Sequence, residues 1–218
     1  EQRTLDVLGY FLKRILMKFR FVEVISSEML EKVFKFRYKI ITQTKIFKEY
    51  VENNNFLNNK ESDIYDPYSI HFAVLDESDN ICATVRLIYN SPHGYPTENC
   101  MTFNKNIFDR EKLGELSRIF VDTKYRSLPM TKYIMHNLNK LLYIKMMNLG
   151  IEYTYGALEP RFMRLLRMNK MNYEVLGEKQ MHGKMGLRYP SVLYTSQLGR
   201  DNPEFIQAWK ENYVHQSV

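Results

Sequence analysis

The chain has 218 residues, 44% of them hydrophobic and 14% aromatic, enough for a core that removes roughly 70% of the unfolded surface from water. Nine Gly and seven Pro exclude collagen-like and linker-dominated architectures, and the length favours one large domain over two ordinary ones. Lys and Arg number 31 against 25 Asp and Glu, a net charge of +6; nucleic acid, an anionic membrane or an acidic carrier protein would all complement it, and charge alone does not choose.

The elements follow in chain order. From Arg3 to Phe19, Leu5, Leu8, Leu12, Ile15, Leu16 and Phe19 recur at helical spacing with Lys13, Arg14 and Lys18 among the polar positions, which predicts a basic amphipathic helix over residues 1–20. Such a helix packs on its own domain or makes peripheral contact with a membrane. Phe21 to Ile25 is extended, and Ser26 and Ser27 offer N-caps to a second helix whose stripe runs Leu30, Val33, Phe34, Arg37, Ile40, Ile41. An arginine on an apolar stripe is unexpected. Tyr50 to Lys60 is Asn-rich and reads as an irregular loop. Ser69 to Leu75 and Ile81 to Tyr89 form a hairpin across Asp76-Glu77-Ser78-Asp79-Asn80, with Ile81, Ala83, Val85 and Leu87 on one face and Arg86 on the other. Asn90 to Asn106, punctuated by Pro92, Gly94 and Pro96, is a long loop. A strand at Glu115 to Val121, a helix at Pro129 to Asn148, a strand at Ile151 to Ala157 and a helix at Arg161 to Met168 follow. Extended runs at Tyr173 to Leu176 and Ser191 to Ser196 and a helix at Pro203 to Tyr213 complete the chain. This order predicts an α/β domain with a mixed sheet.

Cys82 and Cys100, and the five histidines, show no metal-ligand spacing, so no metal is expected. No run of about 18 apolar residues and no signal-peptide pattern occurs. A soluble, cytoplasmic protein is the resulting expectation.

Several charges stand where apolar residues would cost less: Arg37, Asp63, Asp66, Arg86, Glu115 and Arg118. Such residues meet one another in an ion-pair network or line a polar pocket. The runs Phe36-Arg37-Tyr38-Lys39-Ile40, Glu61-x-Asp63-x-Tyr65-Asp66, Val85-Arg86-Leu87 and Glu115-Leu-Ser117-Arg118-Ile-Phe-Val121 resemble the acyl-homoserine-lactone (autoinducer) synthases and their relatives, the N-acyl amino acid synthases and exosortase-associated acyltransferases. All belong to the GCN5-related N-acetyltransferase (GNAT) superfamily. The resemblance implies a single GNAT-like domain over residues 21–218, a central twisted mixed sheet flanked by helices, with residues 1–20 as an added helix.

Two departures shape the functional expectation. Autoinducer synthases carry a Trp some ten residues after the first arginine, where this chain has Phe47. Conversely, His182-Gly183-x-x-Gly186-Leu-Arg188-Tyr-Pro190 resembles the His-Gly-x-Arg-x-Pro pattern of the amino acid synthase branch, with two residues inserted. An amino acid or similar amine is therefore the expected acceptor. The superfamily's CoA loop would fall on Arg126 to Thr131 (Arg-Ser-Leu-Pro-Met-Thr), where Pro129 and Met130 replace the small residues that let backbone N–H groups reach a pyrophosphate. An acyl-acyl carrier protein is accordingly favoured over acyl-CoA as donor, with no tightly bound cofactor, and Lys124, Arg126, Lys132, Lys140 and Lys145 are the candidate surface for that acidic carrier.

Within the resemblance, Glu115 is the candidate general base for aminolysis of the thioester, directly or through a water, with burial raising its pKa. Backbone N–H groups of Ile119, Phe120 and Val121 would polarise the carbonyl. Glu115 and Arg118 lie on opposite faces of a regular strand, so both reach one pocket only across a β-bulge. Arg37, Phe47, Asp63, Asp66, Arg86 and Ser117 are the candidate acceptor site; the arginines either bind the acceptor carboxylate or hold Asp63 and Asp66. Met135, Leu138, Leu142, Met146, Tyr153 and Tyr155 are candidates for the acyl slot, or are simply core. The competing functions are an autoinducer synthase using S-adenosylmethionine and a degenerate module that docks a carrier or membrane without turnover. Nucleic-acid binding is not expected, because no recognition motif occurs.

Overall fold

The computed structural model of the protein describes residues 19–216. Residues 1–18 of the helix expected near the N-terminus fall outside this range; of its last two residues, Phe19 is not helical and Arg20 lies in a strand. Eight strands form a mixed sheet: β1 (Arg20–Glu23), β2 (Ser69–Leu75), β3 (Ile81–Tyr89), β4 (Leu113–Val121), β5 (Tyr153–Leu158), β6 (Glu174–Val175), β7 (Gln180–Met181) and β8 (Leu187–Tyr194). Their order is β1-β2-β3-β4-β5-β8-β6, with β7 pairing β8. All neighbours are antiparallel except β4 and β5, which are parallel and are joined across α4 (Leu128–Asn148). A parallel pair needs such a crossover, because no short turn can reverse the chain twice.

The first helix of the described residues, α1 (Ser27–Gln43), begins where Ser26 accepts a hydrogen bond from the Met29 N–H at 3.2 Å. It covers one face of the sheet, where Val33 meets Ala73 and Leu75, and Phe36, Ile40 and Ile41 meet Phe120. On the other face, α4 packs Ile134, Leu138, Leu142 and Met146 against Phe72, Val74, Val85, Leu87 and Leu116. The period-2 alternation of β2 thus serves two layers. The helices α6 (Thr195–Asp201) and α7 (Pro203–Gln216) extend the α4 layer through Leu198 and Phe205.

Several local features differ from the sequence expectation. The segment read as an Asn-rich loop contains α2 (Lys48–Glu52), and Asn58 and Asn59 take positive φ of 57° and 55°, which asparagine tolerates better than most residues. The loop Asn90 to Asn106 contains α3 (Pro96–Cys100), because a proline that breaks a helix interior suits its first turn. Ser196 is helical rather than extended, since the last strand stops at Tyr194. Ile81 packs towards α1 instead of sharing a face with Ala83, because a register shift opposite Val74 and Leu75 reverses the alternation at Cys82. The remaining helix, α5 (Pro160–Met168), follows β5. No described helix is long and apolar enough to cross a membrane.

Candidate active site

Three arginines from three elements converge on one acidic segment. Arg37 of α1 is fully buried; its Nε donates to Glu61, and its Nη1 and Nη2 donate to Asp66 at 2.7 and 3.3 Å. Arg86 of β3, equally buried, donates to Asp63 at 2.6 and 3.0 Å, to Asp66 at 2.8 Å and to the Ser117 hydroxyl at 3.0 Å. Arg118 of β4 donates to Glu61 at 2.8 Å, Asp63 at 3.0 Å and the Tyr50 hydroxyl at 3.2 Å. Burial works against ionising Glu61, yet Arg118 and Arg37 outweigh it and hold its carboxyl well below the usual range. For Asp66 too, burial is overcome, here by Arg37 and Arg86. Burial also pushes the Tyr50 hydroxyl, which donates to Glu61 at 2.9 Å, up to about 12.

Three guanidinium groups thus face three carboxylates, and the set is neutral within itself. Breaking such a buried pair by removing one partner costs about 3–5 kcal/mol. The network fastens the 61–66 segment and α1 to the sheet.

Beside it the sheet opens. Parallel pairing of β4 with β5 runs Leu113↔Tyr153, Gly114↔Thr154, Glu115↔Tyr155 and ends there. Between Thr84↔Phe120 and Arg86↔Ser117, one residue of β3 faces two of β4, and Arg118 takes a positive φ of 53°. This is a β-bulge. It turns Glu115 and Arg118 into one cavity of about 560 Å³, between the splayed ends of β4 and β5. The Asp122 N–H donates to the Cys82 carbonyl on the β3 side at 2.8 Å, so alternation turns the Val121 N–H away from β3, towards the cavity, and the Phe120 N–H back towards β3, which removes Phe120 from the expected carbonyl donors.

Glu115 is 2% exposed, and its two carboxylate oxygens accept from the Thr97 N–H and the Thr97 hydroxyl, each at 2.9 Å. Burial dominates and pushes its carboxyl up to about 7, with the Thr97 bonds opposing. It is a carboxyl poised to exchange a proton near neutrality. His182 lines the same cavity, and its Nε2 is buried without a hydrogen-bond partner; burial first, then the charges of Arg118 and Arg188, bring the imidazole down to about 4.

The structure gathers at this cavity Glu115, Ser117, Arg118, Ile119, Phe120 and Val121, together with Phe47, Arg126 and Met135. Phe47 stands edge-on to Phe120, their ring centroids 5.9 Å apart. Arg37, Asp63, Asp66 and Arg86 lie behind the wall, in the neutral network. Of the side chains expected in an acyl slot only Met135 lines the cavity: Leu138, Leu142 and Met146 fill the core between α4 and the sheet. Tyr153 and Tyr155 pack around Phe108 and Tyr95 in a separate cluster. The apolar positions that do line it include Leu116, Phe162 and Leu165. Helical periodicity marks an apolar face without saying whether protein or ligand will cover it, which is why the core positions of α4 look like a slot in sequence.

The cationic set also divides. Lys124, Lys132 and Arg126 are exposed near the start of α4, whereas Lys145 is drawn to Glu23 at 2.8 Å and Lys140 is half-buried. Helix α4 begins at Leu128 with Ser127 as N-cap and Pro129 in its first turn, so one of the N–H groups that a phosphate could use at this end is absent. Thr44, Thr131, Glu159, His182 and Arg188 at the cavity, Thr97 buried behind Glu115, and Glu61 and Tyr50 beneath it are polar residues that the candidate set lacked. Glu61 and Arg188 stand within the quoted motifs, while Thr97 lies in a presumed loop and gives no local signal. Among the described residues no group of three or more His, Cys, Asp or Glu is placed to hold a metal.

Residues 44–136 match the family described as acetyltransferase (GNAT) domain. Among solved structures, FeeM, an N-acyl amino acid synthase from uncultured soil microbes, aligns at 10% identity over 84% of this chain and 94% of its own, with a TM-score of 0.60. BjaI, described as a CoA-dependent acyl-homoserine lactone synthase, aligns at 14% identity over 86% of this chain and 89% of its own, with a TM-score of 0.62. MesI, described in the same terms, reaches 20% identity over 83% and 94%, with a TM-score of 0.58. No curated protein matches the chain in sequence. The structural likenesses, at these identities, speak for the fold: GNAT-like, with a mixed sheet between helical layers.

Proposed function

From a chain with a GNAT acyltransferase fold, we propose an N-acyltransferase that moves a fatty acyl group from acyl-acyl carrier protein to the amine of an amino acid. The observation that carries this reading is Glu115: a carboxyl raised to about 7, held by Thr97, in the cavity where β4 and β5 part. The acyl thioester enters the splay, and its carbonyl oxygen takes a hydrogen bond from the Val121 N–H, which points away from β3. Glu115, ionised, takes a proton from the acceptor ammonium, directly or through a water, and the freed nitrogen attacks the carbonyl carbon. The C–N bond forms, the tetrahedral oxyanion collapses, the C–S bond breaks, and the leaving thiolate takes up the second proton that the attacking nitrogen sheds.

Leu116, Met135, Phe162 and Leu165 provide an apolar wall for the acyl chain. Exposed Lys124, Arg126 and Lys132 meet the acidic carrier, whose single pantetheine phosphate asks less of the α4 N-terminus than a CoA pyrophosphate would. Homoserine-lactone formation is the second reading, supported by the likeness to MesI and BjaI, with Phe47 in place of the tryptophan of that branch weighing against it.

The test is a competition in one vessel, with dodecanoyl-carrier protein, dodecanoyl-CoA, the twenty amino acids and S-adenosylmethionine, read by mass spectrometry. An N-dodecanoyl amino acid drawn from the carrier supports the proposal. A lactone establishes the second reading, equal use of the CoA ester removes the carrier preference, and no product from either donor refutes turnover.

A further inference from the structure

Of the arginines at or behind the cavity, one is left over. Arg37, Arg86 and Arg118 are neutralised by Glu61, Asp63 and Asp66, and Arg126 is exposed, its Nε bound to the Val121 carbonyl at 2.9 Å. Arg188, at the start of β8, is only 8% exposed and lines the cavity, yet among the described residues no carboxylate pairs with it. Its one hydrogen bond runs from Nη1 to the carbonyl of its neighbour Leu187, at 3.0 Å. A guanidinium has five N–H donors, so most of the fork is unspent. The strain shows in its titration: burial lowers it from the usual arginine value, and Glu159 across the cavity wall compensates only in part.

The backbone that presents Arg188 is built tightly. Gly183 and Gly186 take positive φ of 50° and 83°, the His182 N–H donates to the Gly186 carbonyl at 3.0 Å, and the Met185 N–H donates to the His182 carbonyl at 2.9 Å. This turn packs against Lys45–Phe47 and α2. It sets His182 and Arg188 on one wall, and His182 in turn lies near the Pro96 backbone, one residue from the Thr97 that holds Glu115. The unspent donors of this well-positioned guanidinium open into the cavity, where an oxyanion can complete the fork.

We infer that Arg188 is the anchor for the acceptor's carboxylate, holding it by a bidentate pair so that the neighbouring amine is presented to Glu115. The identity of the ligand rests on the proposed N-acylation of an amino acid. The shared chemistry is an oxyanion, and the alternative source is the phosphate on the donor's pantetheine arm. Burial favours the small carboxylate, because exposed Arg126 stands at the α4 end of the cavity, where the carrier surface begins.

The experiment measures binding by calorimetry, with N-dodecanoylglycine as a product probe and N-dodecanoylglycinamide as its neutral counterpart, so that it does not depend on turnover. Wild type should bind the acid at least about 10-fold tighter than the amide, and Arg188→Met should weaken the acid by about 100-fold while leaving the amide unchanged, the loss expected when one partner of a buried charge pair is removed. Arg188→Lys, which keeps the charge but not the fork, should recover part of the preference. Equal binding of acid and amide by folded wild type overturns the inference, as does an Arg188→Met protein that retains the preference. Arg188→Met weakening phosphopantetheine instead of the acid assigns Arg188 to the donor and also overturns it. If no amine is acylated but the acid preference follows Arg188, the functional reading fails and the anchor stands; if amino acids are acylated without that preference, the reverse holds.

Discussion

Replacing Thr97 by Val should move the pH dependence of catalysis upward without touching the base itself. The Thr97 hydroxyl donates to Glu115 at 2.9 Å and stabilises its ionised form, while the Thr97 N–H, which Val retains, holds the other oxygen at 2.9 Å. A hydrogen bond to a charged group contributes about 1.5–3 kcal/mol, and 1.36 kcal/mol corresponds to about one pH unit. The limb of kcat/KM on which Glu115 loses its proton, expected near pH 7 in wild type from the raised carboxyl, should therefore rise to about 8–9 in Thr97→Val. The assay follows thiol release from the acyl carrier between pH 5.5 and 10. The acceptor amine titrates alike in both enzymes, so the difference between the two profiles isolates Glu115. Glu115→Gln should abolish the limb and lower the rate by about 10²–10⁴-fold. A Thr97→Val limb that stays in place or moves down, in a folded protein, would refute Glu115 as the titrating base.

The same carboxyl carries a stability signature. With its folded value near 7 and an ordinary value of 4.5, Glu115 favours the folded state at low pH, and about 3 kcal/mol of that is lost as pH rises from 4.5 to above 7. Urea titrations at pH 5 and 8 should show this fall in wild type and a flatter dependence in Glu115→Gln. The network acts in the opposite sense: Glu61 and Asp66, held below the ordinary range, stabilise the fold above about pH 4.5 and lose that contribution as pH falls through their folded values. Arg37→Met should cost about 3–5 kcal/mol at pH 7 and raise the pH of acid unfolding followed by circular dichroism. Leu165→Trp should shorten the acyl chains accepted, read from a series of C6 to C16 donors, whereas Leu142→Ala should cost about 2–5 kcal/mol of stability and leave chain preference unchanged, since Leu142 is core and not cavity.

Sequence patterns were most informative where a charge broke an apolar pattern. Arg37 on a helix stripe announced burial, because a solvated arginine would not interrupt that face; Arg86, set opposite the apolar face of its strand, gave a weaker signal, and both are fully buried. The bulge at Arg118 followed from needing two charges of one strand in one pocket. Strands and helices with clear periodicity, such as β2, β3 and α4, read correctly to within a residue or two. The partners of each charge were not legible. Nothing local in the sequence says that Arg37, Arg86 and Arg118 neutralise one another's surroundings and leave Arg188 alone, since that outcome depends on where the 61–66 segment docks. Thr97 was hidden because Pro96 and Gly94 read as loop punctuation, although the proline opens a short helix whose first turn faces Glu115.

The central claim is that this cavity joins a thioester to an amine. Its most direct measurement is the release of free thiol from dodecanoyl-carrier protein, with and without an amino acid, coupled to the mass of the product. Thiol release that requires the amine, matched one for one by a product weighing acid plus amino acid less water, is the predicted result. Release without any amine, or none in the presence of every amino acid, would contradict it.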